Sequence, residues 1–166
     1  MPTQPESGEC RRPVIRRALQ EDAEAVAEIT DLAYSKYVPL LGRKPQPMTA
    51  DHRKMILEND VWLLLCEDDP VGVLVLVNEP GCVLIYSVAI RPEFQQQGLG
   101  RHLLDWAEQE AQKGGRRCIR LYTNALMTAN IALYRRLGYL ETEREPFMGS
   151  TRVHMSKSIE GEVDQK

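Results

Sequence analysis

The sequence predicts a mixed α/β domain of element order βααβββαβαββ, with a mostly antiparallel sheet, one central parallel strand pair and flanking helices. Three observations predict it. Apolar runs at 61–67, 71–78 and 82–90 follow one another across the short turns Asp68-Asp69-Pro70 and Glu79-Pro80-Gly81, the pattern of an antiparallel meander. The third run passes through a glycine-bearing loop into an amphipathic stretch from about 98 to 113, with Leu99, Leu103, Trp106, Ala107 and Ala111 on one side. Gly114-Gly115 closes that helix, and the strand Cys118 to Thr123 then lies parallel to Cys82–Ile90 across a strand–helix–strand crossover.

The remaining elements follow in order. Pro13 to Ala18 is a short strand, and Gln20 to Tyr37 places Val26, Ile29, Ala33 and Tyr37 at helical spacing. Glu21 or Asp22 opens this helix, where negative charge suits the dipole. Pro39, Pro45 and Pro47 exclude a regular helix over 38–48, and Thr49 caps a second helix running to Leu57. Thr128 to Leu137 is a short helix stopped by Gly138, and the strands Tyr139–Thr142 and Thr151–Lys157 complete the sheet. Residues 1–12 read as a loose leader, 13–158 as one domain and 159–166 as a polar tail.

With 166 residues and 43% hydrophobic content the chain can bury a sizeable core without metal or disulfide support. A net charge of −3 argues against a nucleic-acid partner. No apolar run has the length of a membrane span, and the first residues lack the apolar centre of a signal peptide. Cys10, Cys66, Cys82 and Cys118 show neither Cys-x-x-Cys nor metal spacing, so they read as four free thiols, no metal site and a cytoplasmic protein.

The loop Gln95-Gln96-Gln97-Gly98-Leu99-Gly100 ends a strand and opens a helix, whose unpaired first amides and positive dipole end suit a phosphate. A dinucleotide fingerprint needs a small residue where Leu103 stands. A Walker loop needs Gly-Lys-Ser/Thr where Leu103-Leu104-Asp105 stand. The pattern Gln/Arg-x-x-Gly-x-Gly/Ala is matched instead. In this loop the chain resembles the GNAT superfamily of N-acetyltransferases, more narrowly a bacterial subgroup with a Gly-x-x-Pro-x-Pro-Met segment, met here at 42–48. Taken alone, the loop could be a glycine turn that only starts a helix. A second match counts against that: Asn130-Ile-Ala-Leu-Tyr134-Arg-Arg-Leu-Gly138-Tyr139 looks like the family's Tyr-x-x-x-Gly-Phe/Tyr helix, 34 residues beyond Gly100.

The resemblance implies an acetyl-CoA-dependent N-acetyltransferase, with acetyl-CoA as cosubstrate and direct attack by a primary amine in a ternary complex. The amine would sit on a small molecule or on a protein or peptide. It further implies that the main chain of Val88, Ala89 and Ile90 pairs with the pantetheine arm and polarises the thioester. The amides of Gln95, Gln96, Gln97, Gly98, Leu99, Gly100 and Arg101 would hold the diphosphate. Tyr134 would protonate the departing sulfur, its phenol staying protonated at neutral pH. The family's pantetheine asparagine stands seven residues before the tyrosine, which is Met127 here, so Asn130 or Asn124 takes over.

Tyr86, Ser87, Glu93 and His52 are the polar candidates for a general base, beside a water relay. Tyr37, Arg43 and Met48, in a proline-stiffened segment, are candidate acceptor-side residues. A non-catalytic acyl-CoA sensor is the alternative reading, and Tyr134 discriminates, since a sensor needs no acid at the sulfur. Exposed strands near the C-terminus offer a route to a homodimer.

Overall fold

The computed structural model describes residues 9–159. Most of the expected leader and tail, residues 1–8 and 160–166, lies outside the described residues. Seven strands form one sheet: β1 (Pro13–Arg17), β2 (Asp60–Cys66), β3 (Asp69–Glu79), β4 (Cys82–Ile90), β5 (Cys118–Asn124), β6 (Leu140–Phe147) and β7 (Ser150–Ser158), in the spatial order β1-β2-β3-β4-β5-β7-β6. The expected meander and crossover are both present, and β4–β5 is the parallel pair.

The helices are α1 (Ala23–Tyr34), α2 (Tyr37–Leu41), α3 (Gln46–Thr49), α4 (His52–Glu58), α5 (Leu99–Lys113) and α6 (Thr128–Arg136). The first differs from the sequence expectation at both ends. A 3₁₀ turn over Gln20–Asp22 precedes it, and Asp22 reaches back to accept the Leu19 amide at 2.7 Å. It stops at Tyr34, three residues early, with the Ser35 hydroxyl donating to the Leu32 carbonyl. The 38–48 segment is not structureless. Pro39 and Pro47 fall in the first turns of α2 and α3, where a missing N–H costs nothing, Pro45 is the N-cap of α3, and Gly42 ends α2 at φ +70°. The α4 cap is Asp51, accepting the Lys54 amide, rather than Thr49.

The chain divides into two compact units. One comprises the residues up to Val75 with Ser87–Asp105. Here β1 and β2 pair antiparallel from Pro13–Cys66 to Arg17–Trp62, and Val26, Ile29, Leu63, Leu64, Val73 and Leu103 are buried core. Gly72 is a packing requirement: a Cβ there would stand 2.8 Å from Ile90 Cδ1 and 3.3 Å from Leu103 Cδ1, so its absence lets the first turns of α5 close on the sheet.

The other unit comprises Leu76–Tyr86 and the residues from Trp106 onward. Its β4–β5 ladder runs from Cys82–Cys118 to Ile85–Leu121, and β5 pairs antiparallel with β7, which pairs with β6. Ile119, Leu121, Val153, Met155 and Tyr139 form its buried centre. The strand β6 is longer than expected because, as the edge strand, it needs no apolar alternation; Leu140 to Arg144 are all exposed.

The cysteines overturn a sequence expectation. None is free: Cys10 is bonded to Cys66 in the first unit, and Cys82 to Cys118 in the second. Cys82 and Cys118 are Cα partners in the parallel ladder, a neighbourhood made by the crossover and invisible in linear spacing. The thiol argument for a reducing compartment falls with them. Among the described residues, no helix is long and apolar enough to cross a membrane, and no group of side chains is arranged to hold a metal ion.

Candidate active site

In the first unit, β4 ends at Ile90 and the chain turns through a short 3₁₀ segment, Pro92–Phe94, with Phe94 buried beneath it. Arg91 fastens this exit: its amide donates to the Val71 carbonyl, and its side chain bonds the Pro70 carbonyl and Glu28. Gln96 and Gly98 then adopt left-handed φ of 65° and 79°. A left-handed glutamine is uncommon and costs about 1 kcal/mol or more, and backbone strain of this kind gathers where a ligand is gripped.

Helix α5 starts at once. Its first main-chain bond runs from the His102 amide to the Gly98 carbonyl at 3.0 Å, so helix geometry leaves the amides of Leu99, Gly100 and Arg101 without an acceptor inside the helix. Leu99 is buried and anchors the turn, while Arg101 is exposed. A Cβ built at Gly98 or Gly100 meets no protein atom within 4 Å. Gly98 is explained by its φ. Gly100 is not, for a glycine in a helix costs about 1 kcal/mol against alanine and nothing in the fold crowds it. It leaves open space beside the first turn of α5, where three amides have no acceptor inside the helix.

Gln95, expected among the diphosphate ligands, is spent inside the protein. Its amide donates to the Pro92 carbonyl, its side-chain NH₂ to the Ile90 carbonyl at 3.0 Å, and its side-chain oxygen accepts from Lys36 at 3.3 Å. It staples the turn to the end of β4. The Gln97 side-chain oxygen accepts the amide of Cys10, which the disulfide ties to β2. Sequence reasoning missed Tyr34: its hydroxyl donates to the Val88 carbonyl at 3.2 Å and lies 3.4 Å from the hydroxyl of buried Ser87. No linear signal marks it, because the two partners are more than fifty positions away.

The acceptor-side candidates of this unit lie along α2 to α4. Tyr37 packs at 6.1 Å from Tyr34, with Lys36 over its ring, while Arg43 and Met48 flank the Gly42 and Pro45 bends. His52 is the first residue of α4; burial pushes its imidazole below the usual range, against the upward pull of Asp31 and Asp51. Glu93 is exposed on the 3₁₀ turn.

In the second unit, Tyr134 is half-buried on α6, its ring 5.8 Å from that of fully buried Tyr139 and nearly edge-on. Gly138, at φ +98°, lets the chain reverse so that the Tyr139 amide returns to the Tyr134 carbonyl at 3.0 Å. Asn124 is consumed locally: its NH₂ donates to Ser150, and its oxygen accepts from the Leu126 amide and from the Ser150 hydroxyl. Asn130 shares the helix face of Tyr134, four residues on. Met127, at the family's asparagine position, is buried with its sulfur accepting from Thr123.

Tyr86 ends this unit's share of β4. On β7, Arg152 stands between the rings of Tyr122 and Phe147, and His154 Nε2 pairs with Glu145 at 2.7 Å. The alternation Arg152-Val153-His154-Met155 was the available signal for that polar face.

The model of the acetyltransferase (GNAT) family matches residues 23–139, well over half of the chain. The chain belongs to the GNAT family. Among curated relatives, it is 28% identical over 117 residues to "Probable N-acetyltransferase 14" of Xenopus tropicalis, covering 69% of this chain and 57% of that protein. It is 40% identical over 57 residues to the [ribosomal protein bS18]-alanine N-acetyltransferase of Escherichia coli K12, 34% of this chain and 38% of that one. The first of these relatives are thus matched over less than two thirds of their own length. The same fold occurs in the paia N-acetyltransferase of Thermoplasma acidophilum, solved with coenzyme A, at TM-score 0.73 and 18% identity over 89% of this chain and 99% of that one.

Proposed function

We propose that this GNAT protein is an acetyl-CoA-dependent N-acetyltransferase that brings a primary amine and the thioester together in one ternary complex. The observation carrying the reading is the uncrowded turn at Gly98 and Gly100, where the first amides of α5 lack helical acceptors. In this reading the amides from Gln96 to Arg101 hold the diphosphate, aided by the α5 dipole and the Arg101 charge. Gln95 serves the turn rather than the ligand. The main chain of Val88, Ala89 and Ile90 aligns the pantetheine arm and offers an N–H to the thioester oxygen, where negative charge grows during attack.

The coenzyme supplies an activated acyl group and a stable thiolate leaving group. Tyr134 donates the proton that the departing sulfur takes up. Asn130, rather than Asn124, bonds the pantetheine amides, since the Asn124 side chain is already engaged. A water-relayed base deprotonates the amine, with His52, whose imidazole burial pushes below its usual range, a candidate side chain beside it. Tyr37, Arg43, Met48 and Tyr86 are proposed to border the acceptor. Relatives include enzymes named for a protein alanine and for mycothiol, so both protein and small-molecule amines belong in the search.

Calorimetry with acetyl-CoA, followed by thiol release in the presence of an amine panel, tests the proposal. Binding with micromolar affinity and amine-dependent thiol release are expected. No heat from well-folded protein would refute it, and binding without thiol release across the panel would favour the sensor reading.

A further inference from the structure

Two side chains, one at the C-terminal end of α1 and one at the N-cap of α2, touch the elements that hold the coenzyme in the reading above, on which this inference rests. We propose that the junction of α1 and α2 is a coenzyme-positioning clamp: Tyr34 sets the main chain at Val88, and Lys36, through Gln95, sets the turn between β4 and α5. The geometry lies within one unit. The Tyr34 hydroxyl has a single proton, which it gives to the Val88 carbonyl at 3.2 Å; the buried Ser87 hydroxyl can then donate to Tyr34 across 3.4 Å. This fixes the peptide plane that follows Val88 from the α1 side. Two residues on, Lys36 reaches the Gln95 side-chain oxygen at 3.3 Å. That contact decides the orientation of the amide, leaving its NH₂ for the Ile90 carbonyl at 3.0 Å.

The two arms have separable consequences. Tyr34 acts where the acyl end is held, so it governs discrimination between acetyl-CoA and free coenzyme A. Lys36 acts at the turn, so it governs affinity for both ligands alike. Neither is a catalytic residue; both position main chain.

Binding measurements need no acceptor. Calorimetry on the full chain compares coenzyme A and acetyl-CoA for wild type, Tyr34→Phe, Lys36→Met, Gln95→Ala and the Lys36→Met/Gln95→Ala double variant. Wild type is expected to prefer acetyl-CoA by about fivefold, the worth of one net hydrogen bond. Tyr34→Phe should erase that preference while leaving coenzyme A affinity within twofold. A merely structural role would not move this ratio, since partial unfolding lowers both affinities equally. Lys36→Met should weaken both ligands by about threefold, with no added loss in the double variant over Gln95→Ala.

A retained preference in Tyr34→Phe, or equal wild-type affinities, overturns the Tyr34 arm. Additive losses overturn the Lys36 arm, because Lys36 would then act on the phosphates directly. Absence of any wild-type binding instead defeats the coenzyme reading itself.

Discussion

The two units put different kinds of atom forward. The first offers main chain: left-handed Gln96 and Gly98, the opening amides of α5, and a strand end braced by Tyr34, Arg91 and Gln95. The second offers side chains: Tyr134 and Asn130 on α6, and Arg152 and His154 on β7. A main-chain site is indifferent to side-chain identity except where a Cβ or a proline would intrude. A side-chain site depends on single functional groups. Substitutions should therefore abolish binding in the first unit and slow chemistry in the second.

The sharpest way to break this contrast is Gly100→Glu. No protein atom lies near the new Cβ and a carboxylate suits a helix start, so the fold should be retained or slightly stabilised. Its charge at this turn should nevertheless raise the dissociation constant for acetyl-CoA by more than about 10²-fold, read by calorimetry beside a melting curve. Unaltered affinity would remove the turn from the coenzyme site.

Second in size, Cys82→Ala/Cys118→Ala should cost roughly 2–4 kcal/mol, since the bridge closes a long loop. Denaturant titration measures it, and a loss below about 0.5 kcal/mol would mean that the bridge constrains little. Next, Tyr134→Phe should reduce kcat by about 10²-fold at unchanged acetyl-CoA affinity, the mark of an acid used only in the transition state. An unaltered rate would leave Tyr134 a packing residue against Tyr139.

The smallest effect concerns acid. The Asp22 carboxyl is held below the usual carboxylate range by its hydrogen bonds from Arg16 and from the Leu19 amide, and Glu79 likewise by Arg120. A depressed pKa contributes stability that is present above the unfolded value near 4 and is lost as pH falls through the lower folded value. Asp22 lies in the first unit and Glu79 in the second. The Arg16 side chain is 40% exposed, so solvent screening keeps the Asp22 contribution under about 1 kcal/mol. Asp22→Asn should flatten the stability–pH slope below pH 4 without altering stability at pH 7 by more than this amount. An unchanged slope would show that the pair is screened out.

Much of this architecture was legible in the linear chain, and the reasons are local. Strand and helix periods, the Gly98 turn, the Gly114-Gly115 stop and the Tyr134–Gly138 spacing depend on residues within a few positions of one another. Less legible were features that the periodic pattern does not mark. The end of α1 at Tyr34 and the length of β6 follow from a helix stop that its periodicity did not mark and from a place at the sheet edge. Gln95 stands at the first position of its motif, and nothing in that motif foretells its contacts with Ile90 and Lys36.

By itself, then, the sequence determined the fold class, the glycine turn that opens α5 and the helix carrying Tyr134, because backbone conformational preference and side-chain periodicity are short-range. Only the tertiary structure decided the cysteine pairing, the contacts of Gln95 with Lys36 and of Asn124 with Ser150, and the hold of Tyr34 on Val88. Each of these is a contact between residues that chain folding alone brings within a few ångströms, and no rule of spacing encodes such distances.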